Sequence, residues 1–279
     1  VLQNEFDIPA SHGVVRVHRD ADQLADEAAR RFAEIAKESV ERHGRFTVAL
    51  SGGSTPKAMF ARLAGGPYVS FVPWTSTLVF WVDERCIPPN HPDSNYKSAS
   101  ELLLSKVPVS AANIYRIPAE IPDHASAARQ YSDTVANVFA GAGLQNAAGD
   151  AHDLPRFDLI LLGLGDDGHT ASLFPDSDAL KSGRAVAVAN YVEKLGAYRI
   201  TLTPAVINNA RNVIFLVAGE SKAHALRNAL ESGPEPEAYP SQLVKPAHGT
   251  LLWMVDFAAA SLLSDQRRSG PAPRGDSDK

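Results

Sequence analysis

Short apolar runs alternate with amphipathic stretches along most of this chain. Val14–Val17 opens the pattern as a strand. Ala21 to His43 then carries the spacing of a long amphipathic helix, with Asp20 as its N-cap. Phe46–Leu50 is the next strand, and Pro56 suits the first turn of the helix after it. Leu78–Val82 is a third strand, rich in β-branched and aromatic residues. Ser98–Lys106 and Ala125–Phe139 read as helices, and Phe157–Leu162 as a strand. Ala185–Ala189, Arg199–Leu202 and Val213–Val217 follow as strands, with helices at Pro204–Asn209 and Ser221–Leu230. Leu251–Val255 is the last strand and Phe257–Leu263 a closing helix. Apolar strands alternating with amphipathic helices predict an α/β fold, a mostly parallel sheet with helices on both faces.

One α/β domain is expected over residues 1–263. From Ser264 the composition turns polar and rich in Pro and Gly, and residues 264–279 read as a disordered tail. Gly141–Asp150 reads as a loose surface loop. The chain has 279 residues, 44% hydrophobic and 21% charged, enough for a substantial core. No apolar run approaches the roughly 20 residues that span a bilayer. A single cysteine, Cys86, excludes an intramolecular disulfide and a multi-cysteine zinc site, which points to the cytosol. A net charge of −5 does not favour nucleic acid, so an anionic substrate would need local basic residues.

Three strand ends carry unusual polar loops: Ser51-Gly-Gly-Ser-Thr55, Asp83-Glu-Arg85 and Gly163-Leu-Gly-Asp-Asp-Gly-His169. In parallel α/β sheets ligands bind at the carboxyl ends of strands, so these loops mark the expected site. Gly53, Ser54 and Thr55 stand where a helix N-terminus offers free N–H groups to an anion. The spacing is neither a Walker A loop nor a nucleophile elbow. The third loop satisfies G-x-G-x-x-G, yet Asp166 and Asp167 would put two carboxylates where a pyrophosphate must approach, which argues against a dinucleotide. His169, two residues after Asp167, suits a general base near neutral pH. With an ordinary imidazole, activity would fall below about pH 6–7. No histidine spacing suggests a metal site.

Several motifs in order resemble the 6-phosphogluconolactonases, a family related to the glucosamine-6-phosphate deaminases. They are ALSGGSTP (49–56), VDERCIPPNHPDSNY (82–96), GLGDDGHTASLFP (163–175), RITLTP (199–204) and GESKAHAL (219–226). The resemblance spans about residues 10–263 and implies a Rossmann-like fold. It also implies hydrolysis of 6-phospho-D-glucono-1,5-lactone to 6-phosphogluconate in the oxidative pentose phosphate pathway. No metal or cofactor is implied, and the expected partner is the small sugar-phosphate lactone, bound by a monomer. Carried over by position, His169 matches the general base, Asp167 its carboxylate neighbour and Arg85 the arginine close to the lactone carbonyl. Gly53, Ser54 and Thr55 match the phosphate loop, and Arg199 and Lys222 match basic residues facing the phosphate. The related deaminases resemble a different pattern, with Ile-Ala-Phe-Asn-Glu-Pro after Gly-His and Tyr after Asp-Glu. Here those places hold Thr170–Pro175 and Arg85. A non-catalytic sugar-phosphate sensor is the remaining alternative.

Overall fold

A computed structural model describes residues 4–7, 13–141 and 154–264. The tail beyond Ser264 and all but the first residue of the Gly141–Asp150 loop lie outside the described residues. Two sheets organise the rest. The larger has the order β1-β2-β10-β9-β6-β3-β4. Its strands are β1 (Asn4–Asp7), β2 (Val14–His18), β3 (Phe46–Leu50), β4 (Thr77–Trp81), β6 (Leu159–Leu162), β9 (Asn212–Val217) and β10 (Thr250–Asp256). All pair in parallel except β1, which runs antiparallel to β2. Strands β3, β4 and β6 are buried at every position, which explains their unbroken apolar runs.

The smaller sheet corrects the expected placement of two strands. Ala185–Ala189 and Arg199–Leu202 do not join the parallel sheet. They belong to a hairpin of β7 (Ala187–Val192) and β8 (Ala197–Leu202), which pairs antiparallel with β5 (Asp83–Arg85). The connection from Val192 to Ala197 is far too short for a parallel crossover. The chain steps from β4 into β5 through Val82, whose N–H bonds Leu50 and whose carbonyl accepts from Leu202. The two sheets therefore meet beside the carboxyl end of β3.

Helix α1 (Ala21–His43) has the predicted bounds. Asp20 accepts from Gln23 N–H, and Gly44 closes the helix at φ 81°. Helices α2 (Ser54–Leu63) and α3 (Tyr68–Phe71) separate β3 from β4. The expected Ser98–Lys106 helix is instead α4 (Asn95–Ala99) running into a π-helical turn at Ser100–Leu104. Helix α5 (His124–Gly141) packs on β7 and β8. α6 (Pro204–Asn209) and α7 (Ala223–Glu231) follow β8 and β9. Only one 3-10 turn, Ala259–Leu262, stands where a closing helix is expected. Aromatic rings lock the core, with Phe215 and Trp253 stacked at 3.7 Å on adjacent strands. No described helix is long and apolar enough to cross a membrane.

Strand order fixes where a ligand can enter. After β3 the chain moves outward to β4; after β6 it returns the other way to β9. β3 and β6 are neighbours, so their departing loops diverge and leave a crevice between them.

Candidate active site

A cleft of about 230 Å³ occupies that crevice. It is bordered by Gly53, Ser54, Thr55, Arg85, His169 and Lys222, six of the eight side chains or loop residues expected at the site. Asp167 and Arg199 do not border it. Asp167 stands behind His169, and Arg199 lies on β8 directly opposite Arg85 on β5.

His169 is held from several directions. Its Nδ1 lies 2.5 Å from Asp167 Oδ1, which also accepts the His169 backbone N–H at 3.2 Å. Its ring stacks on Phe174 at 4.0 Å. Asp167, and not Asp166, is therefore the carboxylate partner. The loop is drawn tight by Gly165 N–H bonding the His169 carbonyl and Gly168 N–H bonding the Gly165 carbonyl. Gly165 has no room for a side chain, since a Cβ there would fall 1.9 Å from His169 Nδ1. The glycine of the dinucleotide-like motif thus makes space for an imidazole.

Burial pushes the His169 pKa down to about 4, with Lys222 and Arg199 also lowering it and Asp83 and Asp166 opposing them. Burial thus favours the neutral ring. With Nδ1–H donated to Asp167, the Nε2 lone pair is left for the cleft. The expected acid limit near pH 6–7 rests on an ordinary imidazole, which is not desolvated in this way.

Arg85 is free of the acids beside it in sequence. Glu84 accepts from the N–H groups of Arg85, Asn95 and Tyr96 and from Ser94 Oγ, so its carboxylate closes the start of α4. Asp83 accepts from Ser172 Oγ at 2.6 Å and from Asn95 Nδ2. The Arg85 guanidinium instead donates to the Asp93 carbonyl. Arg199 donates to the Tyr198 carbonyl, and burial followed by the Arg85 charge lowers its pKa. Two guanidiniums side by side on paired strands favour an anion between or beside them.

On the far side, α2 starts at Ser54 after Gly53 at φ 107°, with no side chain capping it. Its first N–H groups are left to a ligand. Asn95 packs so closely on the preceding turn that a Cβ at Gly52 would meet its Oδ1 at 1.9 Å. Lys222 follows β9 and pairs with Asp166 at 2.5 Å. Cys86 is half-buried and its thiol is pushed up to about 11 by burial, so it is no nucleophile. Among the described residues no group of three or more His, Cys, Asp or Glu converges as metal ligands would. Asn95, Phe174 and Lys194 were not expected at the site. Asn95 falls in a quoted motif, while Lys194 reaches Asp167 across 27 residues with no local signal.

A family model described as glucosamine-6-phosphate isomerases/6-phosphogluconolactonase matches residues 19–253. An Arabidopsis thaliana protein named probable 6-phosphogluconolactonase 1 is 41% identical over 255 residues, covering 90% of this chain and 94% of that protein. A Synechocystis 6-phosphogluconolactonase is 44% identical over 230 residues, covering 82% and 89%. The solved 6-phosphogluconolactonase of Trypanosoma cruzi superposes with a TM-score of 0.80 at 26% identity, covering 93% of this chain and 100% of that one.

Proposed function

Because this chain belongs to the glucosamine-6-phosphate isomerase/6-phosphogluconolactonase family, we infer its reaction from the branch it matches. It hydrolyses 6-phospho-D-glucono-1,5-lactone to 6-phospho-D-gluconate. The observation that carries the mechanism is a buried imidazole, oriented through Nδ1 by Asp167, at the border of the cleft. His169 Nε2 takes a proton from water as the water attacks C1. Arg85 offsets the charge that grows on the carbonyl oxygen. The free N–H groups after Gly53, the hydroxyls of Ser54 and Thr55, and Lys222 hold the phosphate, with Arg199 adding positive field. Remote binding is thereby turned into orientation of C1. Lys222 Nζ donates to Asp166, and its remaining N–H groups can serve the phosphate.

The deaminase alternative needs a carboxylate for ring opening. Aligned with Ile-Ala-Phe-Asn-Glu-Pro, the Glu position here is Phe174, an apolar ring packed on the base. In this reading the protein works as a cytosolic monomer on a small diffusible substrate, in keeping with its net charge and single cysteine. The test is a coupled assay with freshly generated lactone, the spontaneous rate subtracted, run beside glucosamine 6-phosphate. Lactone turnover without ammonia release is expected; the reverse would overturn the assignment.

The pH dependence follows from the buried base. The neutral ring is the active form, so activity is lost as pH falls through its pKa. We expect kcat/KM to stay level down to about pH 5 and to decline near pH 4. A decline already centred near pH 6.5 would mean that His169 is not desolvated, or is not the titrating group.

Gly165→Ala tests how tightly the ring is placed. The added methyl must displace the imidazole, so kcat should drop on the order of tenfold or more with the fold kept. Parental kcat with an unchanged thermal midpoint would show that the ring tolerates displacement.

A further inference from the structure

The ammonium of Lys194 meets the base assembly at two points that the reading above leaves unused. Lys194 stands in the 3-10 turn Glu193–Leu195 joining β7 to β8, closed by Gly196 at φ 58°. Its Nζ donates to Asp167 Oδ2. That is the oxygen His169 leaves open, since the imidazole Nδ1 and the backbone N–H both use Oδ1. The same Nζ lies 5.0 Å over the ring of Phe174, the ring stacked on His169. One cation therefore touches both groups that hold the imidazole, and it does so without bordering the cleft.

The hairpin that carries it is braced. Tyr191 and Tyr198 are register partners with rings 5.0 Å apart, and His124 at the start of α5 packs on Tyr198 at 4.6 Å. Val192, just before the turn, is buried. Bracing holds the backbone of the turn in place, so that less backbone freedom is lost when Lys194 pairs.

We propose that Lys194 is a positioning residue for the lactonase reaction, fixing Asp167 and Phe174 and through them the His169 imidazole. This rests on His169 being the base. The small antiparallel sheet then takes part in the site from two places: Arg85 faces the cleft, and the hairpin tip steadies the base from behind.

Electrostatics make the role testable. The charged groups facing His169 are Asp166 and Asp167 from its own loop, Asp83 from β5, Lys222 after β9, Arg199 from β8 and, through Asp167, Lys194. Lys194 draws on the Asp167 carboxylate. Without it the full negative charge acts on the ring, which favours imidazolium. Removing Lys194 should thus raise the pH at which activity is lost. A half-exposed ion pair contributes little to global stability, so folding should hardly change.

The experiment compares Lys194→Met, Lys194→Arg and His169→Ala by kcat, KM, pH profile and thermal midpoint. For Lys194→Met we expect kcat about tenfold lower with KM within about twofold. The acid limb should move up by about half a pH unit or more. Lys194→Arg should recover most of both. Parental kcat and acid limb in Lys194→Met would overturn the proposal. So would an equal loss in both variants with an unmoved acid limb, the mark of a packing role alone. If His169→Ala kept near-full activity, the base reading would fall and this proposal with it. An inactive His169→Ala beside a parental Lys194→Met removes only the role of Lys194.

Discussion

His169→Ala should lower kcat for lactone hydrolysis by about 10²–10⁴-fold, the usual contribution of a positioned general base. Binding of 6-phosphogluconate should stay within about threefold, since the anchoring groups are untouched. A δ-lactone is an activated ester, so the hard part of the reaction is to generate hydroxide character in water at neutral pH. At the cleft, Asp83 is engaged by Ser172 and Asn95, and Lys222 pairs with Asp166. In the proposed function the imidazole Nε2 is the basic atom that faces the substrate. In that reading the product is gripped elsewhere, by the turn before α2 and by Lys222, so affinity and rate should separate. The measurement is the coupled lactone assay together with a titration of the product. A variant keeping more than about a third of parental kcat would remove His169 from its role.

Arg85→Met, which keeps the aliphatic stem and removes the charge, should lower kcat by about 10²–10³-fold. The reason lies in what Arg85 does not do. Its neighbours Asp83 and Glu84 are occupied by Ser172, Asn95 and the start of α4, so neither forms an ion pair with its guanidinium. Its register partner is another cation, Arg199. Holding two guanidiniums on paired strands has an electrostatic cost, which in the proposed reaction is offset as negative charge grows on the carbonyl oxygen. The effect should fall on kcat, with KM changing much less, because the charge exists only in the transition state. A change confined to KM would assign Arg85 to ground-state binding. Arg199→Met gives the comparison: it should be milder, since Arg199 stands back from the cleft.

Much of this was legible from the order of residues, for identifiable reasons. Helix α1 has a capping aspartate and a terminal glycine, and it spans the stretch its spacing predicts. Strands β3, β4 and β6 are short and wholly apolar because both faces are covered. The three polar loops stand at strand ends, and topology brings them together. The small sheet was harder to see. Tyr191 and Tyr198 are exposed, so β7 and β8 lose their apolar signature where they approach the turn. Three-residue β5 has no pattern of its own and exists only through pairing with β8. β1 likewise depends on β2 for its definition. The depressed basicity of His169 was hidden too, because desolvation comes from Phe174 and the packed loop, and not from spacing. Contacts such as Lys194 with Asp167 are set by register, which local sequence does not encode.

The position of β10 has a consequence in time. This strand, Thr250–Asp256, lies between β2 near the beginning of the chain and β9. Until it arrives, β2 and β9 each present an unpaired apolar edge, and the two portions of the large sheet have nothing to join them. A growing chain would have made every residue of the cleft before the strand that unites the sheet had been synthesised. Completion of the large sheet therefore waits on a segment that supplies no chemistry, and the wait falls on edges that other chains could capture.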